Sequence, residues 1–137
     1  MLNIDNLISS GIRDPFELAE ELGIIILREN LGTIYGYYNS CFGVQFIHIN
    51  QKLNDTDKLF TCAHELAHAV LHPDVNTPFL QAHTFFSVEK MEREAHAWAM
   101  RLLISDEVVE EDKVYTVDQL SAKWGYPAEL VELRLKK

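Results

Sequence analysis

The sequence predicts an α+β fold. Short apolar runs between residues 24 and 50 read as strands, two long segments further on keep a helical period, and the last third divides into short capped helices. The expected architecture is a small, three-stranded, mostly antiparallel sheet. It packs on a helix that carries His64-Glu65-Leu66-Ala67-His68 and on a second helix that carries Glu92, with a C-terminal helical tail. A chain of 137 residues is expected to form one domain, 1–137, divided into N-terminal helices and a strand (1–30), a central core (31–104) and the tail (105–137).

In chain order, Leu2 to Ser10 reads as a short helix. Asp14-Pro15 is an N-cap and first-turn pair, Phe16, Leu18, Ala19 and Leu22 follow at helical spacing, and Gly23 stops the helix. Ile24-Ile25-Ile26-Leu27 reads as a buried strand. Gly32 to Tyr38 is a second strand, Asn39-Ser40 a turn, and Phe42 to Asn50 a third strand with Val44, Phe46 and Ile49 as wall residues. The next helix runs from about Asp55 to Leu71, with Leu59, Cys62, Ala63, Leu66, Ala69 and Val70 on its apolar stripe and Pro73 beyond its end. His72 to Ser87 is irregular but rich in apolar side chains (Phe79, Leu80, Phe85, Phe86), which suits a wall or lid of a site as well as ordinary packing. Val88 to Ile104 is helical, burying Met91, Ala95, Trp98, Ala99, Leu102 and Leu103. Ser105-Asp106-Glu107 starts a short helix, Thr116 to Gln119 forms a capping box for the next, Gly125 ends it, and Pro127 opens the last. The cadence from Leu120 to Val131 is that of a helix-turn-helix, but Glu129 and Glu132 occupy the second helix where DNA contacts would be wanted.

The HExxH pattern at residues 64–68 carries the chemistry. Positions i and i+4 of a helix lie on one face, so both imidazoles can reach one metal ion, while Glu65 is turned aside toward a water molecule beside the ion. The bland alternative is two helix histidines that hold no metal. A catalytic zinc takes three protein ligands and an open position. Candidates for the third are His72, Asp74, His83, Glu89, Glu92, Glu94 and His96. His72 extends the i+4 series but falls at the helix end. Asp74 has the spacing of a metzincin ligand but lacks the glycine that such a turn needs, since Leu71 occupies that place. Glu92 shares a helix face with Ala95, His96 and Ala99 and is the expected third ligand. Glu94, turned about 160° away by helix geometry, is the runner-up. His96 is then either a partner that orients a ligand imidazole or a fourth metal contact.

Composition bounds the rest. A net charge of −9 argues against a non-specific DNA binder, so no direct nucleic-acid binding is expected, and it suits a basic protein partner. Cys41 and Cys62 make no disulfide framework. No basic-then-apolar leader and no long apolar run is present, which predicts a cytoplasmic protein with no membrane association.

Three segments carry a family resemblance. Val44-Gln45-Phe46-Ile47-His48-Ile49-Asn50, Phe60-Thr61-Cys62-Ala63-His64-Glu65-Leu66-Ala67-His68 and Glu92-Arg93-Glu94-Ala95-His96-Ala97-Trp98-Ala99 resemble, respectively, the I-x-I-N strand, the F-T-x-A-H-E-x-x-H helix and the E-x-E-A-N-x-F-A helix of the ImmA/IrrE family of small zinc peptidases. His96 stands where that family usually has Asn or Asp, Trp98 where it has Phe, and Ser105 where Pro often follows. The resemblance implies a zincin-like fold of gluzincin layout. It also implies a Zn²⁺ ion on His64, His68 and Glu92, with Glu65 as general base. The implied activity is that of a site-specific metalloprotease cleaving a helix-turn-helix repressor of a prophage, mobile element or stress regulon. The competing expectation is a regulatory binding protein that grips such a partner without cutting it.

Overall fold

The computed structural model describes residues 4–8, 11–76 and 85–136. A short helix α1 (Ile4–Ile8) precedes α2 (Pro15–Glu21). The Asp14 carboxylate caps α2 by accepting from the backbone N–H groups of Phe16 and Glu17. Three strands follow, β1 (Ile25–Glu29), β2 (Gly36–Cys41) and β3 (Val44–Asn50), in the spatial order β1-β3-β2. β2 and β3 form an antiparallel hairpin, and β1 lies parallel to β3. The sheet is therefore mixed. The chain leaves β1 for the far edge, and the hairpin's return strand fills the middle, running in the direction of β1.

Two strand-level expectations are corrected. The hairpin turns at Phe42-Gly43, not at Asn39-Ser40, which pair with Phe46 and Gln45 inside the ladder. Both turn residues have positive φ (52° and 78°), the geometry that matches the twist of a two-residue hairpin loop. The run Ile24 to Leu27 is not a buried strand: Ile25 and Leu27 are 44% and 37% exposed. Among the described residues, helices cover one face of the sheet, that of Ile47, Ile49 and Tyr38, all fully buried. Of the expected wall residues, Ile49 belongs to that face; Val44 is exposed and Phe46 half-buried on the other.

The HExxH segment lies in α3 (Asp55–Leu71), whose first turn is capped by Asn54 accepting from the Asp57 N–H. Cys62, Ala63, Leu66 and Ala67 are fully buried, and α3 packs on α4 (Phe85–Leu103). α4 thus begins before the expected Val88, inside the stretch read as irregular. The expectation of a lid at Phe79 and Leu80 lies outside the described residues. Small residues on both helices, Ala63 and Ala67 on α3 and Ala95 and Ala99 on α4, are fully buried, and their size permits close approach of neighbouring elements. Gly36 serves the same purpose between sheet and α3: a Cβ there would lie 2.5 Å from the His48 carbonyl oxygen and 2.7 Å from Thr61 Cγ2. Gly36→Ala is expected to cost about 1–3 kcal/mol by overpacking, read as a fall in the urea midpoint at unchanged slope.

The tail forms α5 (Asp106–Glu111), α6 (Val117–Trp124) and α7 (Ala128–Leu135). Ser105 caps α5, Thr116 and Gln119 form a reciprocal capping box on α6, and Gly125 ends α6 in the left-handed region. The tail is packed, not appended. Met100, Ile104, Leu120, Tyr126 and Val131 make a second core cluster, to which Phe60 and Leu103 connect the first. Met100, fully buried, was not on the predicted face of its helix, because α4 is covered by α3 on one side and by the tail on another. Buried Arg134 donates to the Ile104 carbonyl (2.8 Å) and to Asp106 (2.6 Å). Asp112 accepts from Lys123 (2.6 Å) and from the Trp124 indole (2.9 Å), and these two donors hold its carboxyl below the ordinary value. Because the folded pKa is depressed, this contribution is present above about pH 4 and is lost as the pH falls through the folded value. The stability difference between wild type and Asp112→Asn is therefore expected to shrink in acid, as measured by urea titrations at pH 7 and pH 3.

Among the described residues, no helix is long and apolar enough to cross a membrane.

Candidate active site

His64 and His68 project from one face of α3 toward Glu92 on α4. His64 Nε2 lies 3.3 Å from Glu92 Oε2, and His68 Nε2 lies 2.6 Å from Glu92 Oε1. His68 is fully buried and His64 is 12% exposed at its side chain. Burial by itself disfavours protonated His64, but the hydrogen bond to Glu92 and the nearby Glu65 charge outweigh it and raise its pKa. Burial likewise opposes ionised Glu92, yet the hydrogen bonds from His64 and His68 hold it far below the usual carboxylate range. Each imidazole thus meets one oxygen of an ionised carboxylate, and a donor set of this kind suits a borderline cation of the zinc type.

His96, one turn after Glu92, joins the group. His64, Glu92 and His96 each offer a ligand atom within 4.8 Å of the other two. The His96 ring stacks on that of His64 at 4.4 Å between centroids and 28° between planes, and His64 Nδ1 has no hydrogen-bond partner among the described residues. Burial first, then the neighbouring His64, pushes the His96 pKa down to about 4, so the ring is neutral at physiological pH with a lone pair to give.

Behind His68 stands a residue whose position the sequence reading did not foresee. His72 Nδ1 lies 3.1 Å from His68 Nδ1, a contact that orients the His68 ring with Nε2 toward Glu92. Its sequence signal is the second i+4 step, which makes His72 the third histidine of the series His64, His68, His72. The other candidates lie apart. Glu94 is 46% exposed and 4.0 Å from His72 Nε2, and Glu89 is on the surface opposite Arg93. Asp74 sits in the turn beyond α3, and His83 lies outside the described residues.

Glu65 is 6% exposed and, with His64, forms one wall of a cavity of about 360 Å³. Tyr35 lines the same cavity. The two tyrosines of β2 are committed elsewhere. Tyr38 is fully buried, its hydroxyl donating to the Pro73 carbonyl at 2.6 Å. Tyr37 stacks on His48, which is held between Glu29 and Asn39 on the outer face of the sheet. Cys62 is fully buried and burial raises its thiol pKa, which disfavours the reactive thiolate.

The Peptidase_M78 family model, described as the IrrE N-terminal-like domain, matches residues 19–136. The chain belongs to the ImmA/IrrE family. It is 42% identical over 124 residues to the "Uncharacterized immunity region protein 2" of Bacillus phage phi105, covering 88% of this chain and 78% of that protein. It is 26% identical over 133 residues to "Metallopeptidase ImmA" of Bacillus subtilis (strain 168), covering 93% of this chain and 78% of that protein. As an ImmA/IrrE member with an HExxH helix, the chain is a metalloprotease, with a metal ion as cofactor and protein as substrate.

Proposed function

We propose that this protein, acting in the cytoplasm as a single metallopeptidase domain, uses zinc to cleave a DNA-binding repressor of a prophage or mobile element. The observation that carries the reading is that His64 and His68 meet the two oxygens of Glu92 while Glu65 lines the adjoining cavity. The immunity-region name of the phage relative and the net charge of −9, complementary to a basic DNA-binding partner, support the choice of substrate.

In this reading His64, His68 and Glu92 would hold the ion. His96, its ring stacked on that of His64, would orient that ligand imidazole and leave the fourth position open. Zinc held there would lower the pKa of a water toward about 7 and polarise a carbonyl. Glu65 takes the water's proton and delivers it to the leaving amine. Tyr35, 57% exposed at the cavity, donates its hydroxyl to the carbonyl oxygen as negative charge develops there. Tyr35→Phe is expected to lower kcat about 100-fold with unchanged metal content, measured by steady-state cleavage and elemental analysis.

The substrate backbone is held at β2, an edge strand beside α3. The Ser40 N–H points outward to Asn76 Oδ1 (2.8 Å), whereas the Tyr35 carbonyl points inward to the Asn50 N–H (2.9 Å). By alternation, Gly36 turns its backbone groups to the outer edge, where an extended peptide can add as a strand.

Incubation with the repressor encoded beside this protein, with and without chelator, tests the proposal. Chelator-sensitive fragments are expected. An intact complex without fragments would favour the binding-protein alternative.

A further inference from the structure

The cavity that His64 and Glu65 line has a second wall made by the C-terminal tail. The turn between α6 and α7 places Tyr126, Pro127 and Leu130 opposite the first two turns of α3. Gly125 permits this turn: its φ of +86° is a conformation that other residues rarely adopt, and a Cβ there would lie 3.7 Å from Thr56 Cγ2 on the facing helix. Phe60 forms the floor and ties the two halves together. Its ring stacks on His64 at 6.1 Å and on His96 at 5.9 Å, and is tilted against Tyr126 at 5.9 Å.

The lining is mostly apolar, and among the described residues Asp57 is its one charged group besides the site's own His64 and Glu65. Among the described residues, no lysine or arginine contributes to it. A space of about 360 Å³ that is apolar, open on one side and continuous with a general base has the character of a subsite for one side chain. Two carboxylates in its wall disfavour an acidic occupant, and the aromatic and aliphatic surface favours a bulky uncharged one.

We propose that this cavity is the specificity subsite of the protease: it takes a large aliphatic or aromatic side chain flanking the scissile bond, and the tail turn at Gly125–Leu130 sets its size. The proposal rests on the reading of Glu65 as the base that acts on the adjoining peptide bond. It gives the tail a task that neither DNA reading nor plain packing supplies. Tyr35, the last residue before the edge strand β2, is also a wall of this cavity, so a peptide paired with Gly36 would run directly into it.

The test uses the metal-loaded full chain and has a binding arm and a cleavage arm. Calorimetry compares acetohydroxamate with hydroxamates carrying an isobutyl or benzyl arm. The larger arms are expected to bind about 10-fold or more tightly, the gain of one apolar side chain in a fitting pocket. Leu130→Trp, which narrows the cavity from the tail, is expected to erase that difference without changing metal content. Thr56→Trp, on the exposed first turn of α3, fills the space from the opposite wall and is expected to do the same, should Leu130→Trp disturb the core. In the cleavage arm, replacing the bulky residue beside the cut bond with Ala is expected to lower kcat/KM about 10–200-fold. A flat hydroxamate series, or a series that both tryptophan variants leave unchanged, would overturn the subsite. Discrimination among hydroxamates with no peptide cut under any condition would uphold the subsite and remove the protease reading of Glu65.

Discussion

Glu65→Gln retains the metal and loses peptide hydrolysis, with kcat expected to fall about 10²–10⁴-fold, the range for loss of a positioned general base. The substitution is nearly isosteric, and Glu65 is 6% exposed within α3, so the helix and the His64–His68 spacing have no cause to change. What changes is the ability to accept a proton. Elemental analysis of the variant should match wild type, while cleavage of the repressor, followed by gel and mass spectrometry, should cease on the wild-type timescale. Retained cleavage would remove Glu65 from the base role. Loss of metal together with activity would mean that its carboxylate supports the ligand cluster instead.

Glu92→Ala has the largest expected effect on metal affinity, and Glu94→Ala is its control. Glu92 is the carboxylate that both ring nitrogens approach, at 3.3 and 2.6 Å, whereas Glu94 is 46% exposed and directed toward His72. Losing a partner that merely orients a ligand typically costs 10–100-fold in affinity, so removal of a ligand itself should exceed about 100-fold. Glu94→Ala should stay within a few-fold of wild type. Competition against a chromogenic chelator reads both. The reverse ranking would reassign the third ligand. Removal of Glu92 also leaves His64 and His68 clustered without a counter-charge, so the metal-free variant should be less stable than metal-free wild type at neutral pH.

Much of this arrangement was legible in the residues. α3 coincides with the helix read from Asp55 to Leu71, because an N-cap, an uninterrupted apolar stripe and a proline just beyond its end all act locally. The caps at Asp14, Ser105 and Thr116 and the left-handed Gly125 were legible for the same reason. What escaped was set by tertiary surroundings. Burial of Ile25 and Leu27 depends on whether a second layer covers the outer sheet face, which no local pattern reveals. The parallel pairing of β1 with β3 follows from chain path, and the turn at Phe42-Gly43 places a phenylalanine at positive φ, against its own preference. At the site, the HExxH spacing and the Glu92 face were visible in helix geometry, but His72 behind His68 and the tail turn across the cavity were not. The first needed the rotamers at the end of α3, and the second joins residues some 60 positions apart in the chain.

The most direct measurement is an anomalous-difference map at the metal absorption edge from crystals of the metal-loaded protein. The account predicts a single strong peak about 2.0–2.2 Å from a nitrogen of His64, a nitrogen of His68 and an oxygen of Glu92. A peak bound elsewhere, or one held by Glu94 in place of Glu92, would contradict it.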